Sequence, residues 1–323
     1  MSWKTAARAA LHQMGGLHAL RQLNRHKLSI LAFHSFSAAN EANVAALATY
    51  IVKNFEPVSL PYLVNSLQSG KALAAHTLAV TVDDGYRNYA LHGHPIFKRH
   101  KIPVTLFAVA GFADGRLWLW PDQIEYGLEQ SAKPSITVEW EAGGTSVLVL
   151  GTQQEKADSI IKLTEALKTL PNQQRLKFMA DFSRLCGVEI PTAPPPGRAP
   201  LNWDELRALA ADGVEIGCHT DTHPILTRLE SPAELTHEIK GAKELLEAGL
   251  RRSVRHFCYP NGKAPDINDS VVAAVREAGF ESAVTCFWGL NTIPADLLLM
   301  RRLPFDSSLE FAYAKELLTG LHV

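Results

Sequence analysis

The 323-residue chain has only four cysteines, Cys186, Cys218, Cys258 and Cys286, and no two of them form a CxxC pair. That spacing excludes a zinc ribbon and a disulfide framework. Cys218 and Cys258 lie in apolar runs and read as small core residues of a protein kept reduced. Charge of one sign is also lacking: 32 Lys and Arg stand against 33 Asp and Glu, a net charge of −1. Duplex-binding proteins carry a basic excess, so nucleic acid is not an expected partner. No run of 18 apolar residues occurs, and no membrane-spanning helix is expected. The first 27 residues lack the continuous apolar stretch of a secretory leader, so the expected location is the cytoplasm. That segment holds Lys4, Arg8, Arg21, Arg25 and Lys27, while the first acidic residue is Glu41. It reads as a basic helix over 1–27. Such a helix either rests peripherally on the inner membrane face or packs outside the fold.

What is present is an alternation. LSILAFH (28–34), TLAVTV (77–82), PVTLFAVA (103–110), VEIGCH (214–219), RHFCY (255–259) and SAVTC (282–286) are β-type runs, with a weaker one near 299–305. Helix-type stretches such as EANVAALATYIVK and PAELTHEIKGAKELLEAG separate them, the latter opening on a Ser231/Glu234 capping box. Apolar strands alternating with helices predict an α/β parallel sheet or barrel over 28–323. The pattern breaks between about 118 and 200. SITVEW and SVLVL around EAGG predict a β-hairpin, and two amphipathic stretches and a proline-rich linker follow. This segment is expected to be a mixed α/β insertion that caps the barrel.

Polar groups gather where strands end. TLAVTV runs into Asp83-Asp84-Gly85, and the glycine lets the chain turn so that both carboxylates can reach one site. Taken alone, the pair also fits a solvated turn. VEIGCH runs into His219-Thr220-Asp221-Thr222-His223-Pro224, whose two histidines, four apart, can bind one metal ion. With the aspartates they supply the His₂-carboxylate set of a catalytic metal site.

These segments resemble a known family. T-V-D-D-G and H-T-D-T-H-P resemble the first two motifs of the polysaccharide deacetylase family, the NodB-homology domain or carbohydrate esterase family 4. FCYPNGK is similar to its third motif in a Y-P-x-G form, and LMRRLPF to the strand that closes its barrel. The likeness covers about 28–115 and 200–305. It implies an irregular (β/α) barrel and metal-dependent removal of acyl groups, usually N-acetyl, from amino sugars. Asp83 would then be the general base. Asp84, His219 and His223 would hold one divalent ion, zinc first, with cobalt, nickel or iron as other choices. On the substrate side, a backbone N–H in the loop near Tyr259 would meet the oxyanion.

The chain departs from the family in two ways. The third-motif arginine is missing, because Arg255 stays on its strand, and Arg302 is the candidate to reach the site instead. A surface-facing Arg302 is the other reading. No C-terminal L-x-x-H acid is present either, only His322 at the chain end. Some family members resemble a circularly permuted order with the acid histidine on an N-terminal strand in a Y-H-like motif. Ala32-Phe33-His34 looks like that motif, with Phe for Tyr, and assigns His34 as the general acid. Trp118, Trp120 and Trp203 are candidate sugar platforms or ordinary core aromatics. The expected function is N-deacetylation of an amino sugar in a bacterial surface glycan or its precursor. Deacylation of a small non-glycan amide and a catalytically inactive carbohydrate-binding module are the alternatives.

Overall fold

Runs rich in Val, Ile, Phe and Thr form β1 (Ser29–Phe33), β2 (Glu56–Pro57), β3 (Thr77–Val82), β4 (Val104–Ala108), β5 (Ser135–Glu139), β6 (Thr145–Val149), β7 (Glu215–Cys218), β8 (His256–Cys258), β9 (Ser282–Trp288) and β10 (Met300–Pro304). The computed structural model describes residues 16–141, 143–308 and 311–321. β1, β3, β4 and β8 are buried along their whole length. Such strands are covered on both faces, as a parallel sheet wrapped in helices requires.

Seven strands close into a parallel ring in the order β1–β3–β4–β7–β8–β9–β10, with β10 returning to β1 through Leu31↔Leu303. Of the parallel sheet and the barrel that the alternation left open, this is the (β/α) barrel, the form the family resemblance implied. β2 adds two residues beside the start of β3; it is too short to leave a pattern in the sequence. Neighbouring strand residues point to opposite faces, and two apolar clusters follow from that. Ile30, Ala79, Phe107, Cys258, Val284 and Met300 pack together with Leu60, Leu63 and Val64 of the helix Leu60–Ser69. Leu31, Phe33, Leu78, Val80, Leu106 and Phe257 pack against the surrounding helices.

Between β4 and β7 lie the helices Trp120–Gln130, Gln153–Thr169 and Asn172–Cys186. β5 and β6 form an antiparallel hairpin there, and β5 alternates exposed and buried residues. A separate cluster that includes Trp120, Ile124, Leu128, Ile136, Leu148, Leu163 and Phe182 holds this segment together. At the other end of the chain, residues 1–15 of the basic segment lie outside the described residues. Gly16–Leu23 is helical, and Asn24 Nδ2 donates to Thr319 O at 2.9 Å. Among the described residues no helix is long and apolar enough to cross a membrane.

Candidate active site and metal centre

Every strand of a parallel ring ends at the same mouth, so residues just past β1, β3 and β7 meet there. Past β3, Asp84 takes a left-handed φ of 73° and Gly85 one of 88°, while Gly85 N donates to Asp83 O at 2.9 Å. This tight turn brings both carboxylates to the mouth. Past β7, His219 Nδ1 donates to the Cys258 carbonyl at 2.7 Å, which turns Nε2 toward Asp84. Asp84 Oδ1 lies 3.5 Å from His219 Nε2 and 3.4 Å from His223 Nε2. The same oxygen is buried and, among the described residues, has no hydrogen-bond partner. Burial, and then the neighbouring Asp83 charge, push the Asp84 carboxyl well above its usual range. Burial drops His219 to about 4 and takes His223 well below its usual value, so both rings are neutral near pH 7.

Two neutral imidazoles facing one orphaned carboxylate oxygen fit a divalent cation, and Asp84, His219 and His223 would hold it. Asp83, His219 and Cys258 also converge. A guanidinium already occupies that second group. Arg302 Nη1 and Nη2 donate to Asp83 Oδ1 and Oδ2 at 2.8 and 2.7 Å, and Nη2 lies 3.1 Å from Cys258 Sγ. A second cation beside it would meet that positive charge directly.

Arg302 is wholly buried, and Nε donates to the Thr285 carbonyl at 2.8 Å. Burial alone would raise the Asp83 carboxyl. The Arg302 charge and hydrogen bonds, helped by His219 and His34, instead hold it well below the usual carboxylate range. Asp83 is therefore an ionised carboxylate fixed in place at the mouth. His34, past β1, sets Nε2 3.6 Å from Asp83 Oδ2, with its side chain half-exposed. It opens onto a cavity of about 480 Å³ lined with Trp288, Phe305, Asp306 and Tyr313.

Arg302 reaches the site as the substitute for the missing third-motif arginine, and its burial removes the surface-facing reading. Its guanidinium is spent on Asp83, so a substrate-binding role for Arg302 needs correction, and so does the role given to Tyr259. Tyr259 is also buried: its hydroxyl donates to Leu298 O at 3.0 Å, and its N–H pairs with Val284 O in the sheet at 3.2 Å. Neither group of Tyr259 is free to meet an oxyanion. Trp118 and Trp120 are buried, and Trp120 Nε1 donates to the His223 carbonyl at 3.2 Å. Trp203 donates to Asp114. The large aromatic exposed beside His34 is Trp288, 47% accessible. His256 faces Ser282 within the sheet, and His322 lies outside the described residues.

Sequence reasoning missed the residues that grip the His219–His223 loop. Asp221 pairs with Arg116 Nη2 at 2.5 Å and His237 Nε2 at 3.2 Å. Glu238 accepts from the same loop. One signal was available: Glu238 interrupts the apolar stripe Leu235, Ile239, Ala242, Leu246 of its helix.

Paired carboxylates and two imidazoles at the carboxyl mouth of a parallel barrel define a barrel hydrolase site. The polysaccharide deacetylase family model matches residues 185–283, which include His219 and His223. That match spans about a third of the chain; it takes in the second motif but not Asp83 and Asp84, and it makes this part of the chain similar to polysaccharide deacetylases. Solved structures share the fold at low identity. The Streptococcus pyogenes deacetylase PplD in complex with acetate is 15% identical, with a TM-score of 0.58 over 90% of this chain and 98% of that one. The BpsB deacetylase domain from Bordetella bronchiseptica is 16% identical, TM-score 0.55, over 87% and 96%. IcaB from Ammonifex degensii is 16% identical, TM-score 0.55, over 91% and 97%. No curated protein matches the chain.

Proposed function

We propose that the protein is a metal-dependent N-deacetylase acting on an N-acetylated amino sugar of a bacterial surface glycan or its precursor. The observation that carries this reading is the orphaned Asp84 oxygen facing two neutral imidazoles, next to an Asp83 held ionised by Arg302. When bound there, a divalent ion supplies Lewis acidity, which lowers the pKa of water from about 15.7 toward about 7 and offsets charge on the acyl oxygen.

The chain's own residues do the proton work. Asp83 accepts the proton of the attacking water, and Arg302 keeps its carboxylate oriented and charged throughout. Water oxygen bonds to the acetyl carbon and the C–N bond breaks, giving acetate and the free amine. His34 gives the departing nitrogen its proton from the open side of Asp83. The exposed Trp288 indole offers a face on which a pyranose ring can stack. Acting in the cytoplasm, with the basic N-terminal segment at the inner membrane face, the enzyme would take a lipid-linked or nucleotide-linked precursor.

Acetate release from N-acetylglucosamine oligomers, lipid-linked N-acetyl sugars and small acetamides tests the reading. It requires release from at least one sugar substrate, and turnover of small acetamides alone would replace it with the small-amide alternative. His34→Ala should keep the metal and lose at least about tenfold in kcat on an amide. It should lose much less on an activated acetate ester, whose leaving group needs little protonation. Equal losses on both substrates would remove His34 from the acid role.

A further inference from the structure

The loop that carries both histidines is strained. Thr220 and His223 have φ values of 67° and 58°, left-handed conformations that non-glycine residues hold only where the surroundings over-determine them. Those surroundings can be traced bond by bond. Ala110 N and Gly111 N donate to the Thr220 and Asp221 carbonyls at 2.9 and 3.0 Å. His223 N donates to Thr220 Oγ1 at 3.0 Å, and the Trp120 indole donates to the His223 carbonyl. In the middle of the loop, Arg116 and His237 hold the Asp221 carboxylate, and one side chain gathers the Asp221 and Thr222 N–H groups. Glu238 Oε2 accepts from Asp221 N at 3.0 Å and from Thr222 N at 2.9 Å, while Oε1 accepts from Thr222 Oγ1 at 2.5 Å.

Glu238 is 6% exposed and sits on a single π-turn, His237–Gly241, a feature that recurs at functional sites. From that turn the consecutive residues His237 and Glu238 both reach the loop, His237 through Asp221. A carboxylate suits the position because two N–H groups and a hydroxyl all donate to it. Charge-assisted bonds of this kind are stronger than neutral ones. Its effect would pass to His223, the next residue after Thr222, whose ring must stay opposite Asp84 Oδ1.

We propose that Glu238 is a positioning residue that holds the Asp221–Thr222 backbone so that His223 is presented to the ion shared with Asp84 and His219. This rests on the metal reading above. The test is Zn²⁺ affinity of the metal-stripped full chain, measured by competition with a chromophoric chelator, with thermal unfolding of the apo protein read in parallel. Glu238→Ala should weaken Zn²⁺ binding about 10–100-fold, as loss of an outer support does at other metal sites. Glu238→Gln should recover most of that loss, since its one oxygen still accepts both N–H groups. Should Glu238→Ala not fold, Thr222→Val removes only the hydroxyl bond and should weaken binding about threefold. Lower melting with unchanged Zn²⁺ affinity in the variant that folds would overturn the proposal and leave Glu238 a purely structural group. Failure of the unmutated chain to take up Zn²⁺ overturns the metal reading itself.

Discussion

Asp83→Asn is expected to retain the metal and lose about 10²–10⁴-fold in kcat, the usual worth of a positioned base. The amide keeps an oxygen for Arg302 but cannot take a proton. Asp84→Ala is expected to fail differently, with the ion itself bound weakly, because it deletes the oxygen that faces His219 and His223. Elemental analysis beside turnover separates the two. Metal lost in Asp83→Asn and kept in Asp84→Ala would mean that the roles are exchanged.

Much of this site could be read before any fold was known. Asp83, Asp84, His219 and His223 stand directly after strand-like runs, and strand ends in a parallel barrel share one mouth, so proximity followed from topology. His34 came by the same rule from the end of β1. What could not be read was the direction of single side chains. LMRRLPF offers two adjacent arginines, and only the pairing of β10 decides that Met300 and Arg302 turn inward while Arg301 turns out to the Trp288 carbonyl. Tyr259 was misplaced for a related reason: β8 ends at Cys258, and one residue further the chain is still paired to β9. Glu238 lies 16 to 17 residues from the loop it holds, a separation that neither helix nor strand periodicity encodes, and its one trace in the sequence is a charge set in an apolar stripe. The insertion's grip on His223 through Trp120 spans 103 residues and leaves no such trace.

The largest stability effect is expected from Arg302→Met. Removing one partner of a buried ion pair typically costs about 3–5 kcal/mol, because the other charge is left unpaired. Asp83 would then lose the cation that outweighs its burial, and its pKa would rise. In the unmutated protein Asp83 titrates well below the unfolded value near about 3.9, so the pair's stability is fully present above that pH. It is lost only as pH falls through the folded value. Activity should accordingly show no acid limb from Asp83 near neutrality. Arg302→Met should bring one in, with kcat/KM falling as pH drops from 7 toward acid, and should lower the denaturant midpoint. An unchanged pH profile with unchanged stability would mean that Arg302 neither sets the charge of Asp83 nor supports the barrel.

The central claim is that one divalent ion, held by Asp84, His219 and His223, is required for deacetylation. Its most direct test is acetate release by the purified full chain before chelation, after exhaustive chelation and after Zn²⁺ is returned, with bound metal quantified at each stage. The account predicts about one ion per chain at the start, loss of both ion and activity on chelation, and recovery of both together. It also predicts that His223→Ala recovers neither. Full acetate release from protein shown to be free of metal would contradict it.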